Sequence, residues 1–165
     1  MYKMFGGLAA SAMLALPAQA GCWTDAAYHA AQVRELDTML MVQALRCRKT
    51  AANFVAEYNS FVQVSRPALL KANAELRTHF AGEVGERGAL NAYDNYMTTV
   101  ANRYGAGTAD LGCEDVASIV RAAAAAGGSP DELYRVAAAA DMQPAIGGER
   151  CTGPVDTPLT IASRR

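Results

Sequence analysis

The side chains able to do chemistry are few and widely spaced. The chain has two histidines, His29 and His79, and four cysteines, Cys22, Cys47, Cys113 and Cys151. Glu75 and His79 stand four residues apart, as do Asp25 and His29. On a helix each pair shares one face and offers half of a metal site. A full site needs both pairs brought together from separate helices. Solvated helix-face pairing explains each pair equally well, so no metal is expected. A carboxylate-pair hydrolase needs only two acids a few ångströms apart. Glu35, Glu57, Glu75, Glu83 and Glu86 qualify by type, spacing singles out none, and a solvated position is the expectation for each.

Other catalytic signatures are missing. There is no GxSxG, and four thiols expected to pair leave none as a nucleophile. Gly82-Glu83-Val84-Gly85 lacks the lysine and hydroxyl residue that end a phosphate loop, and no GxGxxG occurs, so no nucleotide cofactor is expected. CxxC and CxxCH are absent too, which removes a thioredoxin-like redox pair and covalent haem. Tyr93, Tyr96 and Tyr104, interspersed with Asn91, Asn95 and Asn102, have two readings. One is core packing with hydroxyls at the rim; the other is an amphipathic aromatic surface for a partner.

The elements that must position these groups begin with an export signal. Lys3 is the single charge in residues 1–20, Met4 to Leu16 is apolar or small, Pro17 follows, and Ala18-Gln19-Ala20 supplies an A-x-A cleavage site. The thirteen-residue apolar run is shorter than the roughly 20 residues needed to span a bilayer. Cleavage after Ala20 leaves 165 − 20 = 145 residues, one domain's worth, with 14 basic against 16 acidic residues and a net charge of −2. That balance leaves no footprint for nucleic acid. Localisation in the periplasm or outside the cell follows. Ala20-Gly21-Cys22 also fits the end of a lipoprotein signal, which would anchor the chain through Cys22 and leave three thiols. In an oxidising compartment the even cysteine count otherwise reads as two disulfides.

From residue 21 to 142 the pattern is helical. A first helix over about 24–48 is capped by Thr24 and buries Val33, Leu36, Leu40, Ala44 and Cys47. Arg46, Arg48 and Lys49 crowd its C-terminal end, where cations complement the dipole. Phe54, Tyr58, Phe61, Ser65, Leu69, Ala72, Leu76 and Phe80 keep one register through Pro67, which predicts a kinked long arm ending at Gly82; a reversal at Pro67 is the alternative. Leu90, Tyr93, Met97, Val100 and Tyr104 mark a third helix closed by Gly105, and a shorter one follows Cys113. Ser129-Pro130-Asp131-Glu132 opens a last helix as a capping box with proline at the first position. Residues 143–165 read as an irregular tail tied down at Cys151. The expected fold is all-α, a small helical bundle with a long first helix, a Pro-kinked second arm and two disulfides.

Helix length constrains the cysteine pairing. Cys22 and Cys47 at opposite ends of a continuous helix lie roughly 25 × 1.5 Å apart, far beyond the about 7 Å a disulfide allows. One kinked arm brings Cys113 near Cys47, and a reversal at Pro67 brings it near Cys22. The unbroken register favours Cys47 with Cys113 and Cys22 with Cys151.

At LDTMLMVQALRCR, YNSFVQVSRPALL and YDNYMTTVAN the chain resembles small exported helical proteins of Gram-negative bacteria, over about residues 33–113. The resemblance implies an exported helical fold and a later cysteine pairing with Cys47, and carries no site residues. An adenosylhomocysteine-hydrolase activity attached to some such proteins is contradicted here by length and by the missing dinucleotide fingerprint. The expected function is a non-enzymatic periplasmic module that binds a protein or envelope component. A carboxylate-dependent envelope hydrolase is the alternative.

Overall fold

The computed structural model describes residues 21–151; the predicted export signal and the end of the tail lie outside them. Five helices follow one another: α1 (Asp25–Cys47), α2 (Val55–Val84), α3 (Glu86–Gly105), α4 (Cys113–Ala125) and α5 (Pro130–Ala139). The fold is an all-α bundle.

Local chemistry explains the boundaries. Thr24 Oγ1 accepts the Ala27 amide at 3.1 Å and starts α1, with Asp25 in the positive first turn. Ser129 Oγ accepts the Glu132 amide at 3.4 Å, with Pro130 supplying a preset φ at the start of α5. Asp115 accepts the Gly112 amide at 2.8 Å and opens α4. Pro67 lies inside α2, which runs through it without reversing. Gly82 does not end that helix. The chain continues helical to Val84 and turns at Gly85, whose φ of +77° suits glycine. A single residue therefore joins α2 to α3.

The three long helices run up, down and up. Trp23, just before α1, packs on His79 and Phe80 near the end of α2 and on Tyr96 of α3. At the far end of α1, Gln43 Nε2 donates to the Tyr104 carbonyl and Arg46 to the Gly105 carbonyl. Arg46 therefore satisfies the last carbonyl of α3, in addition to the dipole role expected for it on its own helix. This order brings Cys113 to Cys47 (Cα–Cα 5.8 Å) and Cys151 to Cys22 (4.9 Å), the pairing favoured by the unbroken register. Because Cys22 is bonded to Cys151, it has no thiol left for a lipid in this fold. No helix among the described residues is long and apolar enough to cross a membrane.

α1 is the centre of the bundle, packed by all four other helices. Its expected face is buried, and so are Gln32, Glu35, Asp37, Thr38 and Gln43 on its other sides. α3 keeps its expected stripe over most of its length, with Val100 and Tyr104 buried and Tyr93 and Met97 half-buried, and departs from it in the first turn, where Ala89 is buried and Leu90 exposed. The tail is held more firmly than a single disulfide implies. Trp23 pairs in parallel with Arg150, its indole N–H donates to the Gly147 carbonyl at 3.0 Å, and Arg103 donates to the Gln143 carbonyl at 2.9 Å.

Candidate functional site

Two groups of polar side chains stand out, one inside the bundle and one at its surface. The inner group centres on Glu35, which is 0% exposed, where a solvated position was expected. α1 carries it, and its partners come from α3. Arg103 donates to Glu35 Oε1 in an ion pair, and the Tyr104 hydroxyl donates to the same oxygen at 2.7 Å. Burial pushes the Glu35 carboxyl above its ordinary value of 4.5, against the opposing pull of Tyr104 and Arg103. Glu35 Oε2, Gln32 Oε1 and the Tyr96 hydroxyl are buried without a hydrogen-bond partner among the described residues. Burial, then the charge of Glu35, raises the Tyr96 phenol above its ordinary value. A second buried acid, Asp37, is occupied separately by Arg34 and by the Tyr58 hydroxyl at 3.2 Å.

The three tyrosines named in the sequence differ in burial. Tyr104 is buried with its hydroxyl on Glu35, Tyr96 is half-buried beside Trp23 and Phe80, and the half-buried Tyr93 donates to Asn73 at 2.8 Å. The three hydroxyls thus meet different surroundings: Glu35 of α1 for Tyr104, Asn73 of α2 for Tyr93, and the buried interior for Tyr96.

The histidines occupy separate environments. His79 stacks on Trp23 at 3.9 Å between centroids, and its Nε2 lies 3.3 Å from Glu83, one turn after it, on the opposite side from the Glu75 partner that the spacing suggested. Burial lowers its pKa below the ordinary 6.5, while Glu83 and Glu75 oppose that shift. His29 stacks on Tyr134 of α5, 3.8 Å between centroids. Among the described residues no group of three or more His, Cys, Asp or Glu side chains is placed to hold a metal ion.

The surface group lines a cleft of about 220 Å³ where α1, α2 and α5 meet. Its floor is apolar and small: Ala30 and Val33 from α1, Ala68 and Ala72 from α2. Its rim carries the His29–Tyr134 stack, Lys71 and Glu75 from α2, and Asp131 from the first turn of α5. Glu75, Lys71 and Asp131 form no ion pair among the described residues, in contrast to Glu132 of the same α5 turn, which is paired with Arg135 at 2.7 Å. A floor of small apolar side chains between two helices with a charged rim can take apolar surface out of water and leave the charges to orient what enters. His29 and Glu75 entered the reading of the sequence as halves of different metal pairs, and the fold brings them into this one cleft. Neither a family model, nor a curated protein, nor a solved structure matches the chain.

Proposed function

We propose that the chain is exported and acts in the periplasm or outside the cell as a non-enzymatic helical module, binding a protein or envelope component at the α1/α2/α5 cleft. The observation that carries this reading is a separation. The acids at the open cleft, Glu75 and Asp131, are not the acid whose chemistry burial has altered, Glu35. A carboxylate hydrolase needs its perturbed acid and its second carboxylate facing one substrate. Here the perturbed acid has one oxygen held by Arg103 and Tyr104 inside the bundle. Export is supported by the three-part pattern of residues 1–20 and by two disulfides, which persist in oxidising compartments.

Ala26 is exposed at the cleft, so Ala26→Trp fills it without disturbing the core. The test is capture of partners from envelope extract by the tagged chain lacking residues 1–20, identified by mass spectrometry, beside the same capture with Ala26→Trp. Partners retained by the wild type and lost by the variant support the proposal. Identical captures, or hydrolysis of cell-wall material without a partner, overturn it.

A further inference from the structure

The composition of the cleft narrows what it takes. Resting on the proposal that the cleft is the binding site, we infer that its occupant is a basic side chain of a partner polypeptide, a cation on an aliphatic stem. Three features of the cleft converge on this chemistry.

The floor of Ala30, Val33, Ala68 and Ala72 offers methyl groups and no polar side chain, which suits the methylene stem of lysine or arginine. The rim places two carboxylates from different helices, Glu75 of α2 and Asp131 of α5, around the mouth, and neither is neutralised by an ion pair among the described residues. The size is right for one long side chain, since 220 Å³ is below the roughly 300–1,000 Å³ of sites for drug-sized ligands.

Two features pull the other way, Lys71 and the N-terminal end of α5. The helix end counts for roughly +0.5 charge. With Lys71 this makes about +1.5 against −2 from Glu75 and Asp131, so the mouth favours a cation by a small margin. Glu132 belongs to the same first turn and offsets the helix end further, although Arg135 shares it. The protein already makes the expected contact with one of its own residues: the Arg150 guanidinium lies 4.3 Å over the Tyr28 ring and bonds Asp25, on the turn of α1 next to His29. Tyr134 with Asp131 offers a second tyrosine and carboxylate to a cation arriving from outside.

The test is an amide NMR titration of the disulfide-bonded chain with Nα-acetyl-lysine methylamide, and separately with Nα-acetyl-glutamate methylamide. The lysine probe is expected to shift the amides of Ala30, Ala68, Ala72 and Tyr134, and the glutamate probe to leave them in place. Lys71→Ala should tighten the lysine probe by roughly twofold, and Glu75→Gln should weaken it by a similar factor or more. Lys71 is exposed and Glu75 half-buried, and unchanged thermal unfolding confirms that each variant folds. A cleft that responds to the glutamate probe, or to neither probe, overturns the inference. Tightening of the lysine probe by Glu75→Gln does so too. These outcomes leave the binding proposal itself to the Ala26→Trp capture, which fails separately if filling the cleft changes nothing.

Discussion

Replacing Arg103 by methionine removes the guanidinium from the buried Glu35 while keeping an apolar stem of similar reach. Glu35 then has the Tyr104 hydroxyl as its only remaining hydrogen-bond donor among the described residues. A carboxylate at 0% exposure that loses its counter-charge takes up a proton, which caps the electrostatic part of the damage; loss of the Arg103 bond to the Gln143 carbonyl adds a smaller part independent of pH. Protonating a carboxyl of ordinary pKa 4.5 at pH 7 spans 7 − 4.5 = 2.5 units. At 1.36 kcal/mol per unit this is about 3.4 kcal/mol. The wild type already bears part of this cost, because burial raises Glu35 even beside Arg103, and the half-exposed guanidinium is screened by solvent. The expected loss at pH 7 is therefore about 1–3 kcal/mol. It should shrink on acidification, since at pH 4.5 the same proton costs about 0.4 kcal/mol. Urea unfolding followed by circular dichroism, with both disulfides intact, reads this directly at pH 7 and pH 4.5. Glu35→Gln in the Arg103→Met background should remove most of the pH dependence. A loss of equal size at both pH values would refute the account of Glu35 as a charge held by Arg103.

Four further outcomes follow from named contacts. Glu35 and His79 respond oppositely to acid: the raised Glu35 contributes stability below its ordinary value of 4.5 and loses it as pH rises, whereas the lowered His79 contributes above 6.5 and loses it as pH falls. The His79 contribution should consequently fall on acidification from pH 7 through the region just below 6.5, so the difference in stability between wild type and His79→Phe should narrow over that limb in urea titrations. The glycines of the α4–α5 turn should separate sharply. A Cβ on Gly128 meets the Val64 carbonyl oxygen at 2.3 Å, whereas one on Gly127 meets nothing within 4 Å, and both have positive φ. Gly127→Ala is expected to cost about 1–2 kcal/mol from backbone strain alone, and Gly128→Ala distinctly more, by thermal unfolding. Ser65 is fully buried with a hydroxyl that has no partner among the described residues, so Ser65→Ala should be neutral or stabilising by up to about 1 kcal/mol in the same assay. Opening Cys47–Cys113 by paired serine substitutions should lower stability by roughly 2–4 kcal/mol at unchanged helicity.

Helix order, the starts of α1 and α5 and the disulfide pairing were legible because their causes are local or depend on chain length. Thr24 and Ser129-Pro130 announce helix starts through groups two or three residues on, and the length of α1 alone separates Cys22 from Cys47. The central position of α1 was not legible. Periodicity assigns its polar residues to solvent, whereas the bundle buries them against partners far along the chain: Gln43 against Tyr104, and Glu35 against Arg103 and Tyr104. Nothing near Glu35 in sequence distinguishes it from Glu57 or Glu86. Leu90 misled for a related reason: at the start of α3, beside the one-residue joint to α2, Ala89 is buried where the larger side chain was expected. The cleft draws on three helices, with His29, Glu75 and Asp131 each on a different one, so no local motif marks it. The even cysteine count and the export pattern pointed to the compartment, but a charged rim over an alanine floor exists only after folding.

The most direct measurement of whether this cleft is where the protein meets its partner is photocrosslinking in the producing cell. A photoreactive residue at position 26 lies at the cleft, and one at the exposed Asn102 position of α3 does not line it. An adduct to a discrete partner from position 26, weakened by Glu75→Gln and missing from position 102, is the predicted result. Adducts from position 102 with none from position 26 would contradict the account.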